Sequence, residues 1–184
     1  MPVIRRGRSH ACILAALAAG ACAETPAAEG RVVFRDDFDR ENGMVSRADF
    51  HGLRQWEVAG GSVDLQGTYP FAYLPPGHGM YVDLDGSRGH AGTLRTRAEL
   101  RLAPGEYVLR FSLAGTQWVS APNTVRVSVG NVLHRAVTLP AFAPVHRYQA
   151  VFTVRAPTRA HIQFAQAGGD DMGLLLDDVE LIRR

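Results

Sequence analysis

Two stretches decide the fold: Gly79–Gly92, GMYVDLDGSRGHAG, and Gly173–Ile182, GLLLDDVELI. Each is an apolar run of strand length that carries aspartates where a plain sandwich strand carries none. A buried carboxylate without a partner is costly. Each acid must therefore be wet, bonded to backbone N–H groups, paired, or set on a cation. Side chains alternate along a strand. By that alternation Asp177 shares a face with Leu175, Val179 and Leu181 and is expected to point inward. In the first stretch Val82 and Leu84 share one face, and Asp83 and Asp85 the other, which reads as a solvated face followed by a turn at Gly86.

Outward from these stretches, period two dominates from residue 31 on. Leu94, Thr96, Ala98, Leu100 and Leu102 alternate with polar residues, as do Tyr107–Leu113, Val125–Val129, Tyr148–Val154 and Ala160–Phe164. One buried and one wet face per run indicates antiparallel sheet. Turn signals at Pro104-Gly105, Pro122-Asn123, Pro140, Pro144 and Pro157 separate the runs. No segment sustains helical periodicity for three turns. About ten strands are expected, near 31–38, 55–59, 61–66, 79–85, 93–102, 106–114, 123–129, 132–139, 147–155 and 159–182, the last split by Gly168-Gly169. The expected fold is all-β: two antiparallel sheets face to face, a jelly-roll sandwich. Trp56, in QWEV, reads as core. No internal repeat or second domain is visible.

The N-terminus has the parts of an export signal: Arg5, Arg6 and Arg8, then a short apolar stretch from Cys12 to Ala21, then Ala21-Cys22-Ala23. Residues 1–23 are expected to be a signal peptide, 24–30 a short tether and 31–184 the domain. Two processing routes stay open. Cleavage after Ala23 gives an exported protein, periplasmic or extracellular. Ala19-Gly20-Ala21-Cys22 also resembles a lipoprotein box, which would place a lipid anchor at Cys22 on an outer-membrane lipoprotein. Both cysteines, Cys12 and Cys22, lie in this leader, so the domain is expected to have no disulfide and no thiol chemistry. Beyond residue 23 the chain has 17 Arg, no Lys, and 18 Asp plus Glu, a net charge of −1. No basic patch argues for nucleic acid.

The order DDFDRENG, WEVAGGSVDLQG, GMYVDLDGSRGHAGTL, LAPGEYVLRFSLAG, NTVRVSVG and AGGDDMGLLLDDVEL resembles bacterial exported proteins of the galactose-binding-domain-like superfamily, many of which carry a PEP-CTERM sorting tail. The likeness covers roughly residues 32–182. The sequence ends at Ile182-Arg183-Arg184 without such a tail, so sorting by that route is not expected. The resemblance implies a jelly roll like those of carbohydrate-binding modules, whose activity is binding rather than catalysis. It also implies a structural Ca2+ between the first strand and an aspartate of the last. Asp37 and Asp39, flanking Phe38, and Asp177 are the candidate ligands, since calcium takes six to eight oxygens. The alternative is that Asp177 caps first-strand backbone with no metal. Asp83-Leu84-Asp85-Gly86-Ser87 lacks the downstream Glu of an EF-hand loop, and Asp170-Asp171 reads as a solvated turn.

Sugar binding needs flat rings beside hydrogen-bonding groups. Tyr69, Phe71 and Tyr73 in TYPFAYLPPGHG, and Trp118 beside Gln117 and Asn123 in GTQWVSAPN, fall in loops, where a rigid sandwich places function. His78 and His90 lack zinc spacing. No catalytic motif with a known mechanism appears, and Glu99 and Glu106 sit on an ordinary sheet face. The expected function is that of an exported, non-catalytic domain that binds carbohydrate or a cell-envelope glycan. A structural or adhesive envelope protein is the alternative, and a small glycan hydrolase a weaker one.

Overall fold

A computed structural model describes residues 30–67, 73–75, 77–88, 90–118 and 121–184. The expected leader and tether up to residue 29, with Cys12 and Cys22, and the loop residues Tyr69 and Phe71, lie outside the described residues. The strands are β1 (Arg31–Asp36), β2 (Trp56–Ala59), β3 (Asp64–Gln66), β4 (Tyr81–Asp83), β5 (Thr93–Thr96), β6 (Leu100–Leu102) and β7 (Gly105–Ala114). They continue with β8 (Asn123–Val129), β9 (Leu133–Leu139), β10 (His146–Val154), β11 (Thr158–Ala160), β12 (Ile162–Ala167) and β13 (Leu175–Arg183). A single 3₁₀ turn at Asn42–Met44 is the one helical element among the described residues.

Two sheets enclose the core. One runs β10-β7-β13-β4-β3, with β1 also on β13, and the other β2-β5-β12-β8-β9. Every pairing between named strands is antiparallel. The alternating apolar residues of β7, β8, β10 and β12 fill the space between the sheets, as the period-two pattern requires.

Two expected strands are each two strands. Residues 93–102 divide at 97–99, where the Arg97 N–H donates to the Gln55 carbonyl at 2.8 Å and its Nε–H to the Leu53 carbonyl at 3.1 Å. Residues 158–167 divide at His161, whose Nδ1 lies 2.7 Å from the Thr96 carbonyl. The breaks face each other. Together they form a corner at which β6 and β11 leave the large sheet as a separate two-stranded ribbon. Hydrophobic alternation continues across the corner, so pattern alone shows no break.

Trp56 is fully buried, as expected, and sits among Phe34, Phe38 and Phe164 with ring centroids 5.2, 6.1 and 6.0 Å away. Its indole N–H donates to Asp36 Oδ2 at 2.9 Å, and Asp36 Oδ1 accepts the Phe38 N–H at 3.0 Å. Burial pushes the Asp36 carboxyl above its usual range, while these two donors oppose the rise. Trp56→Phe keeps most of the packing but strips the carboxylate of its indole donor. It should cost about 1–3 kcal/mol, and Trp56→Ala about 3–5 kcal/mol. Urea unfolding of the two variants checks this, and a Trp56→Phe loss well below about 1 kcal/mol would show that the indole N–H contributes little.

Candidate functional site

Three loops meet at one end of the sandwich. The Gly115 N–H donates to the Ala143 carbonyl at 2.9 Å and the Phe142 N–H to the Thr116 carbonyl at 2.8 Å, joining the loop after β7 to the loop after β9. Trp118 stands on the first of these loops, and Tyr73 reaches it from the loop between β3 and β4. Their rings meet edge to face, with centroids 6.0 Å apart and planes at 75°. The two aromatic loops expected from sequence thus share one end. Trp118 is 54% exposed and Phe142 56% exposed. Phe142 holds an uncommon positive φ of 59°. It was not among the sequence candidates, although an apolar ring between two prolines in Pro140-Ala141-Phe142-Ala143-Pro144 is the signal that marks it.

The polar candidates brace the loops. Asn123 is buried, and its Nδ2 donates to the Met172 carbonyl, tying the start of β8 to the turn before β13. Gln117 Nε2 donates to the Gly115 carbonyl at 3.0 Å within its own loop. The Tyr81 hydroxyl accepts the Leu74 N–H at 3.1 Å and the Tyr73 N–H, which fixes the backbone that carries the Tyr73 ring. Tyr69 lies outside the described residues.

Asp177 is buried, as expected, but not on the expected face. Leu174 and Leu176 join the main core, whereas Leu175 packs with Leu74, Tyr81 and Ala114 in a separate small cluster on the opposite face of the sheet. The register of β13 on β7 slips between Asp177 and Glu180, and Asp178 takes φ 52°. This bulge inserts one residue and resets the alternation. Val179 and Leu181 therefore point into the core while Asp177 points outward with Leu175. Burial comes from the loop laid over that face. His78 Nδ1 lies 3.6 Å from Asp177 Oδ2. Gly79 takes φ 61°, and a Cβ there would lie 1.8 Å from Asp39 Oδ1, so only glycine passes at this point.

Asp39 Oδ1 accepts the Met80 N–H at 2.8 Å, and Asp177 Oδ1 accepts the Asp178 N–H at 2.7 Å. Burial, then the charge of Asp178, and after it those of Asp39 and Asp37, push the Asp177 carboxyl up to about 8. The three candidate metal ligands are thus close enough to act on one another. Among the described residues no group of three or more His, Cys, Asp or Glu side chains is placed to hold a metal ion.

Asp83 and Asp85 are buried, not wet. Asp83 Oδ1 accepts the Asp85 N–H at 3.0 Å, and Asp85 Oδ2 accepts the Gly169 N–H at 2.8 Å. The turn before β13 closes over them. A Cβ on Gly173 would lie 1.9 Å from Asp83 Oδ1, so a missing side chain is what allows the cover. Burial, with Asp64 and Asp85 nearby, holds the Asp83 carboxyl well above the usual range.

No family model matches the chain, and no curated protein matches it. Solved structures share its architecture. TmCBM61, solved in complex with beta-1,4-galactotriose, superposes with a TM-score of 0.52 at 16% identity, over 75% of this chain and 99% of that one. Family 16 Carbohydrate Binding Module-2 superposes with a TM-score of 0.51 at 15% identity, over 70% and 90%. An exo-beta-1,3-galactanase from Phanerochaete chrysosporium gives a TM-score of 0.44 at 19% identity, and the match spans only 28% of its length. The likenesses to the two carbohydrate-binding modules establish a jelly-roll sandwich fold.

Asp177 titrates near pH 8 in the folded chain against an ordinary value of 3.8. Between those values the folded state holds a proton that the unfolded state has lost. Stability contributed by this proton is complete below about pH 4, falls by at most about 1.4 kcal/mol per pH unit, and is gone above about pH 8. Asp177→Asn should flatten the loss between pH 5 and 8 without abolishing it, since Asp83 is shifted in the same direction. Urea unfolding at the two pH values reads this, and an unchanged slope would show that Asp177 is not the group responsible.

Proposed function

We propose that the chain is an exported, non-catalytic domain that binds a neutral carbohydrate or cell-envelope glycan at the loop end carrying Tyr73, Trp118 and Phe142. The observation that carries this reading is the pair of half-exposed rings, Trp118 and Phe142, on loops tied to each other by backbone hydrogen bonds. Exposed aromatic side chains on joined loops offer apolar surface that a ligand can cover. A sugar ring offers the flat C–H face that such a surface takes, and the edge contact from Tyr73 holds the indole plane in place before binding. The shared architecture of the carbohydrate-binding modules supports the same class of ligand.

Absence of catalysis is part of the proposal. The strongly shifted carboxyls, Asp83 and Asp177, lie beneath covering loops and accept backbone N–H bonds. An acid–base pair needs two carboxyls that both face substrate, and neither group is open in that way. Export rests on the leader-like N-terminus, with the lipid anchor at Cys22 as the variant that holds the domain at a membrane.

Trp118→Ala should lower retention on a neutral-glycan affinity gel at least about tenfold, and Phe142→Ala should lower it less, while Trp118→Phe keeps most of it. Retention unaltered in Trp118→Ala would remove this end as the site. Calcium at Asp37, Asp39 and Asp177 stays a separate proposal. A chelator that lowers the melting temperature of the wild-type chain but not of Asp177→Asn would support it, and an unmoved wild-type melt would end it.

A further inference from the structure

The end of the sandwich at which β1 begins carries a cluster of arginines. Arg31, the first residue of β1, stands directly opposite Arg183 of β13, and Arg183 stands opposite Tyr107 of β7 on its other side. Like charges placed directly opposite each other across a ladder are destabilising. Arg101 of the β6–β11 ribbon completes the cluster. The three arginines line one groove of about 180 Å³, together with Val32, Ala103 and Tyr107. That is room for about six waters.

The charge of this groove has one sign. No carboxylate lines it. Among the described residues none of the three arginines has a carboxylate partner. The nearby acids are occupied by other arginines, Glu99 by Arg159 at 3.2 Å and Glu106 by Arg184 at 3.0 Å. Part of the groove is fixed in advance. Arg183 Nη2 donates to the Pro104 carbonyl at 2.7 Å, and the Tyr107 hydroxyl donates to the Ala103 carbonyl at 2.9 Å. Three guanidinium groups from three separate elements thus line one small space. A flat carboxylate accepts a single planar fork side by side. A tetrahedral phosphate has oxygens in several directions and accepts forks from different sides. Bound here, it would also offset the repulsion between Arg31 and Arg183.

We propose that this groove is an anion site for a phosphate group, either free or as the headgroup of a lipid. It does not rest on the reading of the aromatic end. β7 begins at Gly105 beside the groove and ends at Ala114 beside the loop of Trp118, so the two sites lie about 30 Å apart. Isothermal titration calorimetry of the full chain at low salt tests it. The titrants are inorganic phosphate, glycerol 3-phosphate, and dihexanoylphosphatidylglycerol below its micelle concentration. At least one should bind saturably and raise the melting temperature. Arg31→Ala and Arg101→Ala should each weaken that binding at least about tenfold. Arg31→Lys and Arg101→Lys, which keep the charge and lose the fork, should weaken it less. Without phosphate, Arg31→Ala should melt no lower than wild type, since it removes a like-charge pair. Trp118→Ala, and the pair Arg40→Ala with Arg155→Ala at exposed positions elsewhere, should bind as wild type does.

Inorganic phosphate binding as tightly as the lipid assigns the site to the free anion, and a strong preference for the lipid assigns it to a headgroup. Either result supports the site. Acetate competing as well as phosphate would overturn the choice of a tetrahedral anion. Arg31→Ala and Arg101→Ala titrating as wild type would place the phosphate elsewhere on the chain. Neither saturable heat nor a melting shift with any of the three titrants would end the proposal.

Discussion

The last strand is the spine on which the rest of the sandwich is hung. β7 runs along one side of β13, and two other strands share its opposite side end to end: β4 against Leu175 and Leu176, β1 against the stretch from Val179 to Arg183. The bulge at Asp177–Asp178 falls at the seam between those two partners. It is there that the ladder has no continuous neighbour to keep in register, and an extra residue costs least. The bulge turns Asp177 outward, and a carboxyl turned outward at a seam needs cover. The loop carrying His78 and Gly79 supplies it, anchored by the Met80 N–H on Asp39. That same loop carries Tyr73 toward Trp118. One irregularity in one ladder thus sets where the loop docks and, through it, where an aromatic side chain stands.

The two-sheet architecture was legible because alternation is a local signal and each strand carries it. Strand positions follow the expected runs within a few residues, and Trp56 is core, as its setting implied. What failed is informative in kind. Parity was carried from Val179 back to Asp177 across a bulge that no residue in GLLLDDVELI announces. Asp83 and Asp85 read as wet because their faces alternate away from Val82 and Leu84. Nothing in their own strand says that Gly173 and Gly169 fold back over them. The first error is one of register, because an inserted residue resets the alternation, and the second is one of long-range cover, which depends on where another segment lies.

The site candidates divide along the same line. Tyr73 and Trp118 were found from composition and loop setting, and the structure brings their rings together. Asn123 and Gln117 are sugar-contact candidates by their chemistry, and their amide nitrogens donate to the Met172 and Gly115 carbonyls. A polar side chain beside a turn has the backbone as its nearest competitor for any ligand. Phe142 is not among the sequence candidates. Its exposure depends on the junction with Thr116 and is set by the tertiary structure.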